Sequence, residues 1–194
     1  MTSTIGSLAL DSSKNYTYAD YKKWELAEFE RYEVIYGEAY AMSAPNTFHQ
    51  SILVELVKQI AVYLTGKPCK VFPAPYDVRL FYAEDESDDT VVQPDISIIC
   101  DPKKIGFEGG RGAPDFVAEI LSPANSAIEM QTKFTLYREA GVREYWILDP
   151  KNKTLSVFNF KDNAIFPQTY NSTGTAKMNI FPDLEIALEP VFAE

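Results

Sequence analysis

Glu119 has the residue type and surroundings of a group that could help bind a divalent cation. It lies within the run 116–121, Phe-Val-Ala-Glu-Ile-Leu, whose two faces are both apolar, as in a strand buried on both sides. A carboxylate there is costly to ionise unless a cation or hydrogen-bond donors meet it. Glu119 is therefore either a ligand group in a site or a residue at a partly exposed end of the strand.

Asp95 provides a second carboxylate, within the run 91–99, which is also typical of a strand. Pro94 before it has no N–H for a sheet ladder and is typical of an edge or a bulge, which would redirect the Asp95 side chain. Pro-Asp is also a common turn dipeptide, so Asp95 carries weight only together with Glu119. Two carboxylates on neighbouring strands can bind Mg²⁺, which takes one or two carboxylates together with waters and a substrate phosphate.

A lysine that could serve the same site follows on the next predicted helix. Lys133 lies 14 residues after Glu119 and within reach of the sheet. It lies beside the apolar stripe of its helix, which is formed by Ala127, Met130, Phe134 and Tyr137. Glu129 and Lys133 are also spaced for a surface ion pair on a helix, so both interpretations stay open. Tyr137 is expected in the core, where its hydroxyl could brace the site.

The elements that must position these residues follow from periodicity, caps and breakers. They are, in chain order, a helix over 15–30 capped near Thr17, a hairpin or bent strand over 32–42, a helix from its Asn46 cap to about 64, strands over 70–81, 91–100 and 116–121, a helix over 126–140 ended by Gly141, a strand over 143–148, and short antiparallel strands from 154 to 186. This order predicts a mixed α/β sheet with helices on its faces.

The composition fits one domain with a sizeable core, since 46% of the 194 residues are hydrophobic. No stretch approaches the ~20 apolar residues of a membrane span, and residues 1–11 lack the basic start and apolar block of a secretory signal. Cys69 and Cys100 are too few for a disulfide framework or a Cys-rich zinc site. We therefore expect a reduced, cytoplasmic protein with no membrane partner.

The net charge and the absence of several known motifs exclude further classes of function. The formal net charge of −10 argues against a nonspecific grip on a phosphate backbone, so nucleic-acid affinity should be low and any contact surface local. Part of the acidic excess lies in the run 84–89, which is expected to be a solvated loop because it lacks the spacing of a calcium loop. His49 is the only histidine, which excludes zinc sites built from several histidines. The chain also lacks a Gly-x-Ser-x-Gly elbow, a phosphate loop and a dinucleotide fingerprint.

Four linked motifs resemble one known family. They are Gln93-Pro94-Asp95, Glu119-Ile120-Leu121-Ser122-Pro123, Lys133-Phe134-Thr135-Leu136-Tyr137 and the run Gly-Val-Arg-Glu-Tyr-Trp-Ile-Leu-Asp-Pro over 141–150. Together they are similar to the Uma-type family of bacterial restriction endonucleases, a branch of the PD-(D/E)xK nuclease superfamily, over roughly residues 18–150. The resemblance implies an α/β fold with a restriction-endonuclease-like αβββαβ core, in which helices flank a mixed central sheet. A C-terminal antiparallel β extension over about 154–190 would complete a single domain of residues 1–194.

The resemblance also implies a Mg²⁺- or Mn²⁺-dependent endonuclease that acts on DNA. Asp95 and Glu119, with Ile120, would bind the metal, and a lysine would stabilise the charge that develops on the scissile phosphate. The superfamily pattern places that lysine two residues after the acid, where this chain has Leu121. Lys133 on the following helix is expected to replace it. At position 129 this chain has a glutamate, where the family more often has an aspartate.

The N-terminal signature of the family adds three candidate catalytic residues, Glu33, Glu38 and His49. Glu33 alternates with apolar neighbours and is the better candidate for an inward-facing acid. Glu38 could equally be solvated in a turn, and His49 could be a packed or capping residue on a helix face.

Two other functions stay open. The chain could be a nuclease-fold binding or assembly protein with weak or no catalysis, although such a protein would not need Asp95, Glu119 and Lys133 together. A glycosidase also uses two carboxylates, but it would leave Lys133 unexplained. A nuclease that cuts both DNA strands would work most simply as a homodimer, which we expect from analogy alone.

Overall fold

The computed structural model describes residues 13–24, 30–122, 127–162 and 166–193, and for residues 127–129 the backbone alone. Helices occupy four stretches of these ranges: α1 Tyr18–Tyr21, α2 Thr47–Leu64, α3 Ala127–Ala140 and α4 Leu188–Val191. The strands are β1 Tyr32–Ile35, β2 Glu38–Ala41, β3 Lys70–Pro73, β4 Val78–Arg79, β5 Val91–Val92, β6 Ile96–Ile99, β7 Gly110–Arg111, β8 Phe116–Ile120, β9 Glu144–Asp149, β10 Thr154–Asn159, β11 Gln168–Asn171, β12 Thr175–Met178 and β13 Phe181–Ala187.

The strands form two main sheets and one hairpin. A six-stranded sheet has the order β11-β10-β9-β8-β6-β3, and a five-stranded sheet has the order β2-β1-β5-β4-β7. Within the six-stranded sheet β8 and β9 run parallel, because α3 connects them as a crossover. The pair β12 and β13 forms the separate antiparallel hairpin. The predicted mixed sheet with helices on its faces is thus present, together with a C-terminal antiparallel extension.

Two of the predicted strands are each divided between the two sheets. The segment 70–81 forms β3 in the larger sheet and β4 in the smaller one, and the Ala74–Pro75 peptide lies between them. The segment 91–100 divides in the same way into β5 and β6, with Pro94 at the division. Proline has no N–H to donate to a sheet, so it interrupts the strand, and the chain can leave one sheet and enter the other at each of these positions. Asp95 lies at this passage between the sheets.

The two long helices pack on opposite faces of the six-stranded sheet. The buried face of α2, with Ile52 and Leu56, belongs to the same hydrophobic cluster as Phe116 on β8. Leu136 of α3 belongs to a second cluster, which contains Val117 and residues of the five-stranded sheet. Because side chains alternate along a strand, Glu119 extends from β8 on the face that carries Val117 and α3. This alternation brings Glu119 within reach of a lysine on α3.

The N-terminal helix is much shorter than expected. The prediction of a helix over 15–30 is wrong in its length, since α1 has four residues and is followed by a turn at Lys22 and Lys23. Its expected start is confirmed, because Thr17 is the N-cap and forms a capping box with Asp20. Residues 25–29 lie outside the described part of the chain.

Cys69 and Cys100 form a disulfide, so the expectation of a reduced chain is wrong. The register of β3 against β6 pairs Lys70 with Ile99, which places the two cysteines opposite each other at the ends of these strands. The sequence contains no signal for that register. None of the helices in the described part of the chain combines the length and apolar character needed to cross a bilayer.

A buried carboxylate connects the C-terminal hairpin to the larger sheet through hydrogen bonds. Glu144, at the start of β9, is fully buried and accepts hydrogen bonds from three donors. These are Trp146 Nε1 at 2.7 Å, Asn179 Nδ2 at 3.0 Å and Ile180 N at 2.8 Å. Because all three donors meet one side chain, Glu144 stabilises the junction between β9 and the β12–β13 turn.

Candidate active site

Glu119 meets two side chains of α3. Lys133 Nζ donates to Glu119 Oε1 at 3.0 Å, and the Tyr137 hydroxyl donates to the same oxygen at 2.6 Å. Lys133 and Tyr137 are four residues apart, so one face of the helix presents both donors to the strand. Lys133 is only 8% exposed, which does not fit a solvent-exposed helix pair. The side chain of Glu129, its proposed surface partner, lies outside the described residues.

Lys133 also contacts a second acid, supplied by the five-stranded sheet. Its Nζ lies 3.1 Å from Glu33 Oε2 and 3.2 Å from Glu33 Oε1. Glu33 is buried on β1, and its Oε1 accepts a further hydrogen bond at 2.9 Å from the backbone N–H of Gln93. The lysine therefore joins a carboxylate of each sheet.

Asp95 meets a backbone N–H and an imidazole instead of the lysine. Its Oδ2 accepts a hydrogen bond from the Ile120 backbone N–H at 2.7 Å and lies 3.2 Å from His49 Nε2. His49 lies in the first turn of α2, where its backbone N–H is bound by the Asn46 side chain at 2.9 Å. His49 Nδ1 is buried and has no hydrogen-bond partner in the described structure, so we place the imidazole proton on Nε2. The helix cap thereby places the His49 imidazole against Asp95.

Burial dominates the electrostatics of these groups. Burial raises the pKa of Glu119 to about 7, an effect that Lys133 opposes and that Asp95 and Glu33 increase. Burial would lower the pKa of Lys133, but the carboxylates of Glu119 and Glu33 together raise it well above its usual value. Lys133 is therefore an ammonium ion. The pKa of Tyr137 is also raised by burial and by Glu119, so this side chain stays a neutral phenol that donates its proton.

Glu33, His49, Asp95, Glu119 and Lys133 all line one cleft of about 390 Å³, whereas Tyr137 lies behind Glu119 and does not line it. Three carboxylates, on Glu33, Asp95 and Glu119, share the cleft with two cations, Lys133 and Arg31, so the ionised cleft carries an excess of one negative charge. Within the described residues, the hydrogen bonds to Asp95 end on Oδ2 and those to Glu119 end on Oε1. Each of these two carboxylates thus keeps one oxygen that no donor in the described part of the chain binds.

This donor set fits a hard divalent cation. Among the described residues no three His, Cys, Asp or Glu side chains surround a common point, so the protein offers two carboxylates rather than a closed cage. Mg²⁺ commonly takes one or two carboxylates and fills its other positions with water and substrate oxygens. The uncompensated negative charge of the cleft supplies the electrostatic attraction. Asp95 and Glu119 could therefore hold such an ion.

The structure brings together five of the residues singled out in the sequence: Asp95, Glu119, Lys133, Glu33 and His49. Ile120 also lines the cleft, and its N–H binds Asp95. Glu38 is different, because its side chain is exposed, does not line the cleft, and accepts a hydrogen bond from the Tyr40 hydroxyl at 2.7 Å. It belongs to the surface beside the cleft and not to the acidic cluster.

The sequence analysis did not single out Arg31 and Tyr40, which also line the cleft. A local signal existed for Arg31 alone. Arg31 lies two residues before Glu33, so the alternation of an extended segment places both on one face. Tyr40 is the residue directly opposite Glu33 in the β1–β2 hairpin. Predicting Tyr40 would have required the hairpin register, which depends on the turn at Tyr36 and Gly37.

Known proteins provide an independent comparison. The model of the Uma2 family, described as "Putative restriction endonuclease", matches residues 18–189. The uncharacterised protein slr1290 of Synechocystis sp. (strain ATCC 27184 / PCC 6803 / Kazusa) is 24% identical over 146 residues, which cover 75% of this chain and 74% of that protein. The uncharacterised protein sll1609 of the same organism is 25% identical over 145 residues, covering 73% of this chain and 79% of that protein.

A solved structure confirms the predicted fold. The crystal structure of a putative nuclease belonging to DUF820 from Anabaena variabilis ATCC 29413 is similar with a TM-score of 0.71 at 20% identity. The similarity covers 91% of this chain and 97% of that one. The family model and the fold agree over nearly the whole chain, and this protein therefore belongs to the Uma2 family of restriction endonuclease-like proteins.

Proposed function

We propose that this protein is a divalent-metal-dependent endonuclease that hydrolyses phosphodiester bonds in DNA, with Mg²⁺ or Mn²⁺ held by Asp95 and Glu119. The observation that carries the proposal is the meeting of these two carboxylates with Lys133 in one cleft, in a chain of this family. The Ile120 position contributes the N–H that orients Asp95. A bound metal ion would polarise the phosphate and lower the pKa of an attacking water.

Lys133 is the residue that stabilises the developing charge. Its ammonium is fixed between Glu33 and Glu119, so it needs no reorganisation when negative charge builds up on the phosphate oxygens. Glu33 keeps the lysine charged and in place. Tyr137 fixes one oxygen of Glu119, which leaves the other available to a cation.

His49 orients Asp95 in the same manner. Its Nε2 contacts one oxygen of Asp95 and leaves the other without a donor in the described part of the chain. Contacts of this kind, made beside a ligating carboxylate, help to orient it and commonly matter for metal affinity. We assign His49 a positioning role.

The main alternative is a nuclease-fold binding protein that does not cleave. The net charge of −10 favours it, because such a surface attracts DNA poorly. Three carboxylates recessed in one cleft, two of them bound to Lys133, argue against it, because they cost stability that a binding protein has no reason to give up. Homodimer formation, which would allow both strands to be cut, stays a prediction.

The test is cleavage of plasmid and oligonucleotide DNA with added Mg²⁺ or Mn²⁺ and with EDTA. We expect cleavage that requires the metal and that Asp95→Asn, Glu119→Gln and Lys133→Met each abolish. Glu185→Gln and Lys177→Met are matched controls, because these residues form an exposed ion pair on the β12–β13 hairpin. Loss of activity in the controls, or full activity in folded Asp95→Asn, would refute the proposal.

A further inference from the structure

The cleft also indicates which form of DNA enters the site. We propose that the substrate is an unpaired strand, such as a single-stranded stretch or a flap, and not a continuous duplex. This inference rests on the proposed function, since it concerns the strand that Asp95, Glu119 and Lys133 would cleave. Three observations carry it: the depth of the site, the distribution of cations, and a tyrosine at the cleft.

The reactive side chains are recessed. Side-chain exposure is 16% for Asp95, 13% for Glu119 and 10% for Lys133. The volume of about 390 Å³ lies in the range of small-molecule sites, about 300–1,000 Å³. A stacked duplex is a convex rod that is too wide to enter such a space, so its phosphates stay outside the cleft. A scissile phosphate can reach these groups if its nucleotide is free to leave the stack.

The cations needed to hold a duplex are missing from the cleft. All 18 Lys and Arg residues lie in the described part of the chain, and among them only Arg31 and Lys133 line the cleft. Lys133 is already bound to two carboxylates, which leaves Arg31 for a flanking phosphate. Proteins that grip duplex DNA commonly neutralise about 6–10 phosphates. This cleft offers too few charges for that mode of binding.

A tyrosine at the cleft suits an unstacked base instead. Tyr40 lines the cleft and is 45% exposed, on the edge strand β2. Its hydroxyl donates to Glu38 Oε2 at 2.7 Å, which fixes the ring against the strand. Met42 lines the cleft close by and adds apolar surface. Stacking of a base on such a ring is independent of sequence and replaces charge as a source of affinity for single strands.

Glu38 thereby acquires a positioning role at the surface. Its carboxylate is not near the acidic cluster, yet it holds the ring on which the base would stack. An acid at this position repels a phosphate backbone. The hydrogen bond to Tyr40 gives Glu38 a function that offsets this disadvantage.

The test compares cleavage of one labelled sequence as a single strand, as a full duplex, and as a duplex with an unpaired bubble. We expect the single strand to be cut at least about 10-fold faster than the duplex at equal metal concentration, and cuts in the third substrate to fall within the bubble. A duplex cut as fast as the single strand would overturn this inference and leave the metal-dependent nuclease intact. Absence of cleavage in all three substrates would overturn the proposed function as well.

A tyrosine pair provides the matched variants. Tyr40→Ala should raise KM for the single strand about 5- to 150-fold with little change in kcat. Tyr40→Phe keeps the ring but loses the hydroxyl that binds Glu38, so it should raise KM by a smaller factor. Tyr36→Ala is the control, because Tyr36 is equally exposed at 44%, packs on Phe81 and does not line the cleft. Equal effects of Tyr40→Ala and Tyr36→Ala, or no effect of Tyr40→Ala, would refute base stacking at Tyr40.

Discussion

Replacing Glu119 by glutamine should stabilise the metal-free protein, and the gain should depend on pH. Burial raises the pKa of Glu119 in the folded state from 4.5 to about 7. The folded protein therefore binds this proton more tightly than the unfolded chain, and stability is lost as pH rises from 4.5 through 7. Glutamine imitates the neutral acid at every pH, so the variant avoids that loss.

The size of the effect follows from the two pKa values. A difference of one pKa unit corresponds to about 1.4 kcal/mol, so the distance from 4.5 to about 7 gives about 3 kcal/mol at pH 8. At pH 5, where Glu119 is mostly protonated in the folded state, the gain should fall to about 1 kcal/mol. For a chain of this length about 3 kcal/mol corresponds to a rise in melting temperature of roughly 6–12 °C.

The assay is urea unfolding of the wild type and Glu119→Gln in EDTA at pH 5 and pH 8, with Glu185→Gln as control. Added Mg²⁺ should then raise the melting temperature of the wild type by mass action and leave that of Glu119→Gln unchanged. A variant that is less stable than the wild type at pH 8 would refute the reasoning. It would mean that the Glu119 carboxylate holds the fold together through Lys133, as a structural ion pair.

Three further substitutions test the surroundings of the site. Lys133→Met leaves buried carboxylates without their cation, so urea unfolding at pH 8 should show a loss of about 3–5 kcal/mol, against almost none for Lys177→Met. Tyr137→Phe removes a hydrogen bond that lowers the pKa of Glu119. It should cost about 1–2 kcal/mol at pH 8 and less at pH 5, and equal losses at both values would contradict that hydrogen bond to the ionised acid. In Glu144→Gln the new amide NH₂ replaces an oxygen that accepts a hydrogen bond, so two donors face each other. The free energy of unfolding should fall by about 2–3 kcal/mol, while cleavage per folded molecule stays unchanged.

Local patterns were sufficient for much of the architecture. The Asn46 cap located the start of α2, and Gly141 located the end of α3, because capping depends on residues next to each other in the chain. The apolar faces around Glu119 identified a central strand. Spacing alone left Lys133 open between this site and a surface pair with Glu129, and the resemblance to a known family selected the site. These inferences need neither the strand order nor the register.

The remaining features depend on contacts between distant segments. Glu33 joins Lys133 across 100 residues of sequence. Alternation favoured Glu33 as the inward-facing acid of the hairpin, but no local pattern indicates that its partner is Lys133. The division of two strands between the sheets was missed, although Pro75 and Pro94 were visible, because a proline predicts a break but not the partner beyond it. The disulfide was missed for the same reason, since it follows from the register of β3 on β6.

The order in which the chain supplies the site has a consequence during synthesis. Domains form from the N-terminus as the ribosome extends them, and here the acids Glu33, Asp95 and Glu119 all precede Lys133. A nascent chain that ends before α3 carries these three carboxylates and lacks the ammonium that binds two of them, Glu33 and Glu119. The site proposed above therefore stays incomplete until α3, and with it most of the polypeptide, has been made.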